Sequence, residues 1–282
     1  MAKIKITCDS TCDLTQELYT EHNVEVIPLT VTLNDKPHHD GVDITADDLF
    51  AFVKETGTLP KTAAISMGEY LDVFGKYTAQ GYEVIHISLS SNLSASHQNA
   101  VLASQELEGV YVVDSRNLSS GSGLLVLEAC EMVQQGLSAA EIVEKVKALA
   151  ERVDASFVLQ TLEYLQKGGR CSSVTALGAR ALQLRPEIRV HDGGMGVGKK
   201  YRGNLDKSVA DYIRGRLEGR TDIGKTRIFV THSSMAAESV AKAKELVHQL
   251  QPEAEVLESS AGCTICSHCG PNCLGVLFIP KA

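Results

Sequence analysis

Two stretches of this chain hold side chains whose types and spacing can do chemistry. The first is Ser88-Leu89-Ser90-Ser91-Asn92-Leu93-Ser94, with five hydroxyl or amide side chains in seven residues. It follows the apolar run Val84 to Ile87 and leads into a helical stretch from about Ser94. A strand that passes through a polar turn into a helix leaves free N–H groups at the helix start. Those groups, the helix dipole and nearby hydroxyls together suit an anionic oxygen. The competing reading is a structural turn, because Ser and Asn are also the usual helix caps. Ser90, Ser91 and Asn92, with Asp9 and Ser10 at the end of another apolar run, are candidate cleft residues at strand carboxyl ends.

The second stretch is Cys263-x2-Cys266-x2-Cys269-x3-Cys273. This is the spacing of a bacterial iron–sulfur run, with Leu274 where that run has Pro. Four thiolates also suit zinc. Against both, only one such run exists, and small Cys side chains fill tight loops well. The reading adopted is a metal-free loop of reduced thiols; Cys263, Cys266, Cys269 and Cys273 are the ligand set if a metal is bound. The Cys8/Cys12 pair and Cys130 read as packing, His86 as a core histidine, and His232 as a residue at a strand end.

A third string, Gly219 to Thr226, matches the phosphate-cradle expression G-x4-G-K-T. A cradle needs a strand before it and a helix after it. Here a helix precedes and a strand follows, so the string reads as a turn. No nucleophile elbow or Ser-His-Asp order is present.

The elements that must hold these groups alternate. Strands are expected at Ile4–Thr7, Val24–Leu33, Val84–Ile87 and Val110–Val113. Helices are expected over about 15–22, 45–56 and 66–80, from about 94 onward, and over 121–135 and 138–152. Thr45 with Asp48, Ser66 with Glu69, and Ser138 with Glu141 stand at capping-box spacing. Leu59-Pro60-Lys61-Thr62 reads as an extended loop. Beyond about residue 155 come a strand at Phe157–Thr161, a helical turn at Leu162–Gln166 and a helix at about Ser173–Leu184. A hairpin around Asp192-Gly193-Gly194 follows, then helices at 205–217 and 235–250. Strands are expected at 227–231, 255–257 and 274–279, with the Cys-rich stretch as a loop before the last. The pattern predicts two α/β domains, residues 1–155 with a mainly parallel sheet and 156–282 with a mixed one.

Composition fits that class. The 282 residues are 44% hydrophobic and 22% charged, long enough for sizeable cores. A net charge of -8 argues against nucleic acid as a partner. No apolar run reaches the roughly 20 residues that span a bilayer, and MAKIKITCD enters a strand pattern with no signal peptide. Eight Cys in a chain this long do not form a disulfide scaffold. A reducing cytoplasm is the expected location.

Several short patterns occur in a fixed order: Asp9-Ser10-x2-Asp13-Leu14, Ser90-Ser91-x-Leu93-Ser94, Asp114-Ser115, Leu162-x-Tyr164-Leu165-x2-Gly168-Gly169-Arg170 and His268-x-Gly270-Pro271-x2-Leu274-Gly275. Together they resemble the DegV family, fatty-acid-binding carrier subunits of bacterial fatty acid kinase, over essentially the whole chain. The resemblance implies a ligand in or beside the interdomain cleft: a long-chain fatty acid such as palmitate, stearate or oleate. It implies a non-catalytic protein without a cofactor, and an ATP-dependent fatty acid kinase subunit as partner. It places the carboxylate at Thr62, Ser94, Arg170 and His268. The chain departs from the family pattern at Ala63-Ala64-Ile65-Ser66 and Ala95-Ser96-His97. Lys199, Lys200 and Arg202 form a basic strip that suits docking of the partner. The alternative readings are an enzyme acting on a small carboxylate or phosphate, and a metal or iron–sulfur protein using the Cys run.

Overall fold

The computed structural model describes residues 3–172 and 185–281. The helix expected over about Ser173–Leu184 lies outside the described residues.

Four strands form the first sheet: β1 (Lys3–Asp9), β2 (Glu25–Ile27), β6 (Tyr82–Ser88) and β7 (Val110–Asp114). Their order is β2-β1-β6-β7, and every pair is parallel. Parallel sheets bury both faces, which is why β6 reads as a continuous apolar run. Val84 packs among Tyr70, Phe74 and Ala100, from helices α3 (Met67–Thr78) and α4 (Ser96–Gln105). Ile85 and Ile87 pack instead against α5 (Ser120–Gln134) and α6 (Ala139–Ala150). The capping boxes form as the spacing predicts at α2 (Ala46–Thr56), α3 and α6; a short α1 (Gln16–Glu21) completes this half.

The stretch expected as one strand, Val24–Leu33, is two. β2 belongs to the first sheet, whereas β3 (Thr30–Leu33) joins a small antiparallel sheet of order β4-β3-β5. Pro28 lies between them and has no N–H to give a ladder. The partners are β4 (Lys36–His39) and β5 (Lys61–Ala63). Thr62, expected in a loop, is therefore a strand residue, in register with Val31.

The second sheet has the order β10-β9-β8-β13-β11-β12. Its strands are β8 (Asp154–Val158), β9 (Arg185–His191), β10 (Gly194–Tyr201), β11 (Arg227–Ser233), β12 (Glu255–Ser260) and β13 (Cys273–Phe278). Only β11 and β12 pair in parallel among these described strands. Helices α8 (Leu205–Leu217) and α9 (Ala237–Leu250) cover one face, with Tyr212, Ile213 and Val247 in one core with Val276 and Phe278. The turn Gly219–Thr226 joins α8 to β11, the reverse of a phosphate cradle.

Helix α5 is shared by the two halves. Ser120 to Leu127 are all buried, and Leu124 to Leu127 form one core with Ile6 of β1, Phe229 of β11 and Leu277 of β13. A helix enclosed on all sides has no polar stripe. Ser120 Oγ and Thr231 Oγ1 lie 2.5 Å apart across this contact. Among the described residues no helix is long and apolar enough to cross a membrane.

The Cys-rich stretch expected as a loop is helical: α10 runs over Cys263–Cys269. Asp40 holds its start, accepting from Cys263 N–H at 2.7 Å and Thr264 N–H at 3.0 Å. Asp13 accepts from Gly262 N–H at 2.9 Å. Burial raises the Asp13 carboxyl well above the usual range, against the pull of its hydrogen bonds from Ser119 and Gly262. Two carboxyl groups of the first half therefore anchor a helix of the second.

Candidate functional site

Helix α10, strand β5, the start of α4 and the end of α7 (Glu163–Gly168) converge on one cavity of about 180 Å³. Its wall is mainly apolar and includes Leu89, Leu93, Leu118, Phe157, Leu165 and Ile265. Met195 contributes from the β9–β10 hairpin. Thr62, Ser94, Arg170 and His268, from four separate segments, all line it.

Thr62 Oγ1 lies 2.9 Å from His268 Nε2. The other face of the imidazole abuts α7, where a Cβ on Gly168 would collide with His268 Nδ1. Nδ1 is buried and has no hydrogen-bond partner among the described residues. Burial, and secondarily the charge of Arg170, lowers the His268 pKa to about 4. The ring is therefore neutral at neutral pH. Arg170 is exposed, and its Nη1 donates to Gly168 O at 2.8 Å.

Ser94 belongs to a hydroxyl chain. Its Oγ lies 2.9 Å from Ser96 Oγ and accepts from Ser96 N–H at 3.1 Å. Ser96 Oγ in turn accepts from Ile65 N–H at 3.3 Å, and Asn99 Nδ2 donates to Ile65 O at 2.7 Å. Helix α4 thus ties down the segment that carries Thr62. Ser94 and Ala95, at the start of α4, face the cavity.

One lining hydroxyl escaped the sequence reading. Thr264 Oγ1 is buried and has no hydrogen-bond partner among the described residues. Thr264 and His268 are one turn apart on α10, so they share a face. The i, i+4 spacing was available in the sequence, but only to a reader who took the Cys run as helix. Cys269, read there as a loop thiol, also lines the cavity.

The secondary candidates lie elsewhere. Asp9 is fully buried and accepts from Tyr70 OH and Leu89 N–H, each at 2.7 Å; His86 Nε2 is 3.2 Å away. Ser10 Oγ donates to Asp40 Oδ2 at 3.2 Å and faces a separate polar cleft. Ser90 Oγ donates to Gly193 O at 2.6 Å, and Asn92 Nδ2 to Asp192 O at 2.8 Å. Ser91 N–H reaches Asp114 Oδ1 at 3.3 Å. Of the hydroxyl-rich turn, Ser94 faces the cavity, while Ser90 and Asn92 strap down the hairpin. Lys199, Lys200 and Arg202 are exposed at the far end of that hairpin. Among the described residues no group of three or more His, Cys, Asp or Glu has the arrangement of a metal site.

A mainly apolar wall that also carries one guanidinium and several neutral hydroxyls suits an amphiphile with an anionic head. Comparison with known proteins agrees with the fold around it. A family described as uncharacterised protein, DegV family, matches residues 3–281. The chain belongs to the DegV family. This DegV protein is 33% identical to a DegV domain-containing protein of Clostridium acetobutylicum, with all of both chains aligned. Among solved structures it is similar to a DegV family protein from Thermus thermophilus described by its fatty acid binding. The TM-score is 0.88 at 29% identity, over 99% of each chain. A stearic acid-binding protein from Eubacterium ventriosum superposes with a TM-score of 0.87 at 27% identity, over 99% of this chain and 98% of that one.

Proposed function

We propose that this protein binds a long-chain fatty acid and presents its carboxylate to a separate ATP-dependent fatty acid kinase subunit, which forms the acyl phosphate. The observation that carries this reading is the gathering of Thr62, Ser94, Arg170 and His268 at one apolar cavity. The fatty acids bound by the Thermus and Eubacterium relatives support it. Burying about fifteen methylene or methyl carbons is worth roughly 12 kcal/mol before the costs of association, enough for retention through purification. Arg170 supplies the fixed positive charge, and the hydroxyls add donors without adding charge.

The protein acts as a carrier in the cytoplasm and needs no cofactor. A Thr62–His268 contact has the outline of a nucleophile and its base. An imidazole with a pKa of about 4 is, however, a weak base at neutral pH, and no carboxylate orients its Nδ1 among the described residues. The basic strip Lys199, Lys200 and Arg202 docks the kinase.

The test is native mass spectrometry of the purified protein, followed by extraction and identification of bound lipid. Lipid-free protein that also fails to bind oleate in titration refutes the reading. Phosphorylation assays with ATP and magnesium then separate carrier from enzyme: acyl phosphate must form only when a kinase subunit is added. Arg202→Glu must lower that yield without releasing lipid.

A further inference from the structure

A second, smaller cavity of about 30 Å³ adjoins the one described above. Leu118, Phe157, Ile265 and Cys269 line both, so these four side chains form the partition between them. Leu118, Phe157 and Cys269 are buried, and Ile265 is half-buried. The floor is the second sheet. Phe157 of β8, Gly275 of β13 and Thr231 of β11 stand in one register row. Cys273, Leu277 and Ser233 flank that row on the same face, two residues along their strands. Gly275 makes the hollow. A Cβ there would stand 3.0 Å from Leu277 Cδ1, 3.0 Å from Ser156 O and 3.3 Å from Phe157 Cβ. Glycine inside a strand marks a place where another group can approach the backbone closely.

Ser119, Thr231, His232 and Ser233 also line this hollow, yet their polar atoms are engaged elsewhere. Ser119 Oγ donates to Asp13 Oδ2 at 2.5 Å, and Thr231 Oγ1 is paired with Ser120 Oγ. Ser233 Oγ donates to Gly270 O at 2.6 Å and accepts from Cys273 N–H at 3.1 Å. His232 alternates with Thr231 and Ser233 along β11, so its ring lies on the other face, where Nε2 is 3.4 Å from Glu258 Oε1. What these residues leave toward the hollow is mainly C–H surface. A buried water needs two to four polar partners, and these hydroxyls already have theirs, so the hollow is dry. It has room for roughly two water-sized groups.

We propose that this hollow receives the methyl end of the acyl chain, and that its size sets the chain length the protein prefers. The proposal rests on the fatty-acid reading of the larger cavity. A chain that crosses the partition cannot continue, because β11 and β13 are hydrogen-bonded to each other behind it. What enters is therefore a chain end. The carboxylate is the wrong end, since it would be buried against hydroxyls that already have partners. The methyl end brings no polar group and fills dry apolar space. Helix α10 sets the two ends apart. Thr264 and His268 form one row on its surface, and Ile265 and Cys269 the next. The first row lines only the larger of the two cavities, and the second lines both. The head group beside His268 and the tail end beyond Ile265 thus lie on adjacent sides of one helix.

The experiment measures the affinity of delipidated full-length protein for a series of straight-chain saturated fatty acids. Wild-type affinity must peak at one chain length. Ala261→Val adds two methyl groups to the wall of the hollow, and must move the peak about two carbons shorter. Leu277→Ala takes three carbons from the same wall, and must move the peak about two carbons longer. General damage to the protein lowers affinity at every length and does not move a peak in opposite directions. A second readout needs no variant. A fatty acid of the preferred length ending in a CF3 group is bound to wild-type protein, and its fluorine resonance must show cross-relaxation to the Leu277 methyl protons. Contacts to Leu93 or Met195 instead, which line the larger cavity and not the hollow, overturn the proposal. So does a peak that stays at one length in both variants, or affinity that falls equally at all lengths. Absence of binding at every chain length overturns the fatty-acid reading itself.

Discussion

Thr62 and His268 stand 206 positions apart in the chain and meet at 2.9 Å. The contact joins β5 of the small sheet to α10, so the lining of the cavity is assembled from both halves of the molecule. His268 is fixed on three sides: by Thr62, by its own helix, and by α7, where only a glycine at 168 leaves room for the ring. A side chain so held keeps one ring orientation in the cavity wall.

The first prediction concerns pH. The His268 pKa falls from the ordinary 6.5 to about 4 in the folded protein. Above pH 6.5 the ring is neutral in both states and adds no slope. Between 6.5 and 4 the unfolded chain takes up a proton that the folded chain does not, so stability falls as pH falls. The upper bound is roughly 3 kcal/mol across that window. The buried Asp13 carboxyl is raised and acts with the opposite sign, so wild type must be compared with His268→Gln. Urea midpoints at pH 7 and pH 4.5 are expected to differ less in the variant. A carboxylate bound beside the ring returns its pKa toward 6.5, visible as a shifted imidazole titration by NMR on adding fatty acid.

A second prediction concerns Thr264. Its hydroxyl is buried without a partner among the described residues, so it contributes a desolvation cost and no compensating bond. Thr264→Val keeps the shape of the side chain. Stability is expected to hold or rise by up to about 1 kcal/mol. Oleate affinity is expected to fall about threefold to tenfold if the hydroxyl meets the ligand head. Calorimetric titration beside thermal unfolding reads both, and unchanged affinity removes Thr264 from the site.

The hairpin strap gives the third. Gly193 has φ +75, and a Cβ there would stand 2.8 Å from Ser90 Oγ and 3.1 Å from Asn92 Nδ2. Gly193→Ala therefore meets both backbone strain and a collision, and is expected to cost about 1–3 kcal/mol. Gly194→Ala is the control: the nearest atom to its Cβ would be His191 O at 3.7 Å, and its φ is not in the left-handed region. Equal urea midpoints for the two variants would mean the strap bears no load.

These residues show what the sequence could and could not disclose. The alternation of strands and helices, the three capping boxes and the inverted glycine string were all legible, because each depends on neighbours in sequence. The split at Pro28 was also legible, but the apolar run on both sides hid it. The helix over Cys263–Cys269 was not, because its start is held by Asp40 and Asp13, more than two hundred positions earlier. For the same reason the hydroxyl-rich turn looked like one site. Whether Ser90 strapped a hairpin or bound an anion was settled by Gly193, a residue 103 positions away.

The last prediction separates holding a ligand from handling its head group. Thr62→Val, Ser94→Ala and Arg170→Ala each remove one polar group from the cavity lining and leave the apolar wall intact. Ser94→Ala also loses the acceptor for Ser96 N–H, and Thr62→Val the contact to His268, so neither is free of local cost. Each lost bond to a charged partner is worth roughly 1.5–3 kcal/mol, against an acyl-burial term several times larger. Fatty acid is therefore expected to co-purify with all three variants, while acyl phosphate formed with an added kinase subunit drops. Arg170→Ala is expected to drop furthest, because it removes the one fixed charge and with it a cause of the low His268 pKa. On the proposed function the three donors serve one carboxylate, so the double variants should lose less than the sum of the single ones. Quantifying bound lipid by extraction, and product by ADP formation with hydroxylamine trapping of the acyl phosphate, distinguishes the outcomes. Normal transfer by all three variants would place the head group elsewhere in the cavity. Loss of lipid from all three would mean the polar lining groups, and not the apolar wall, hold the ligand.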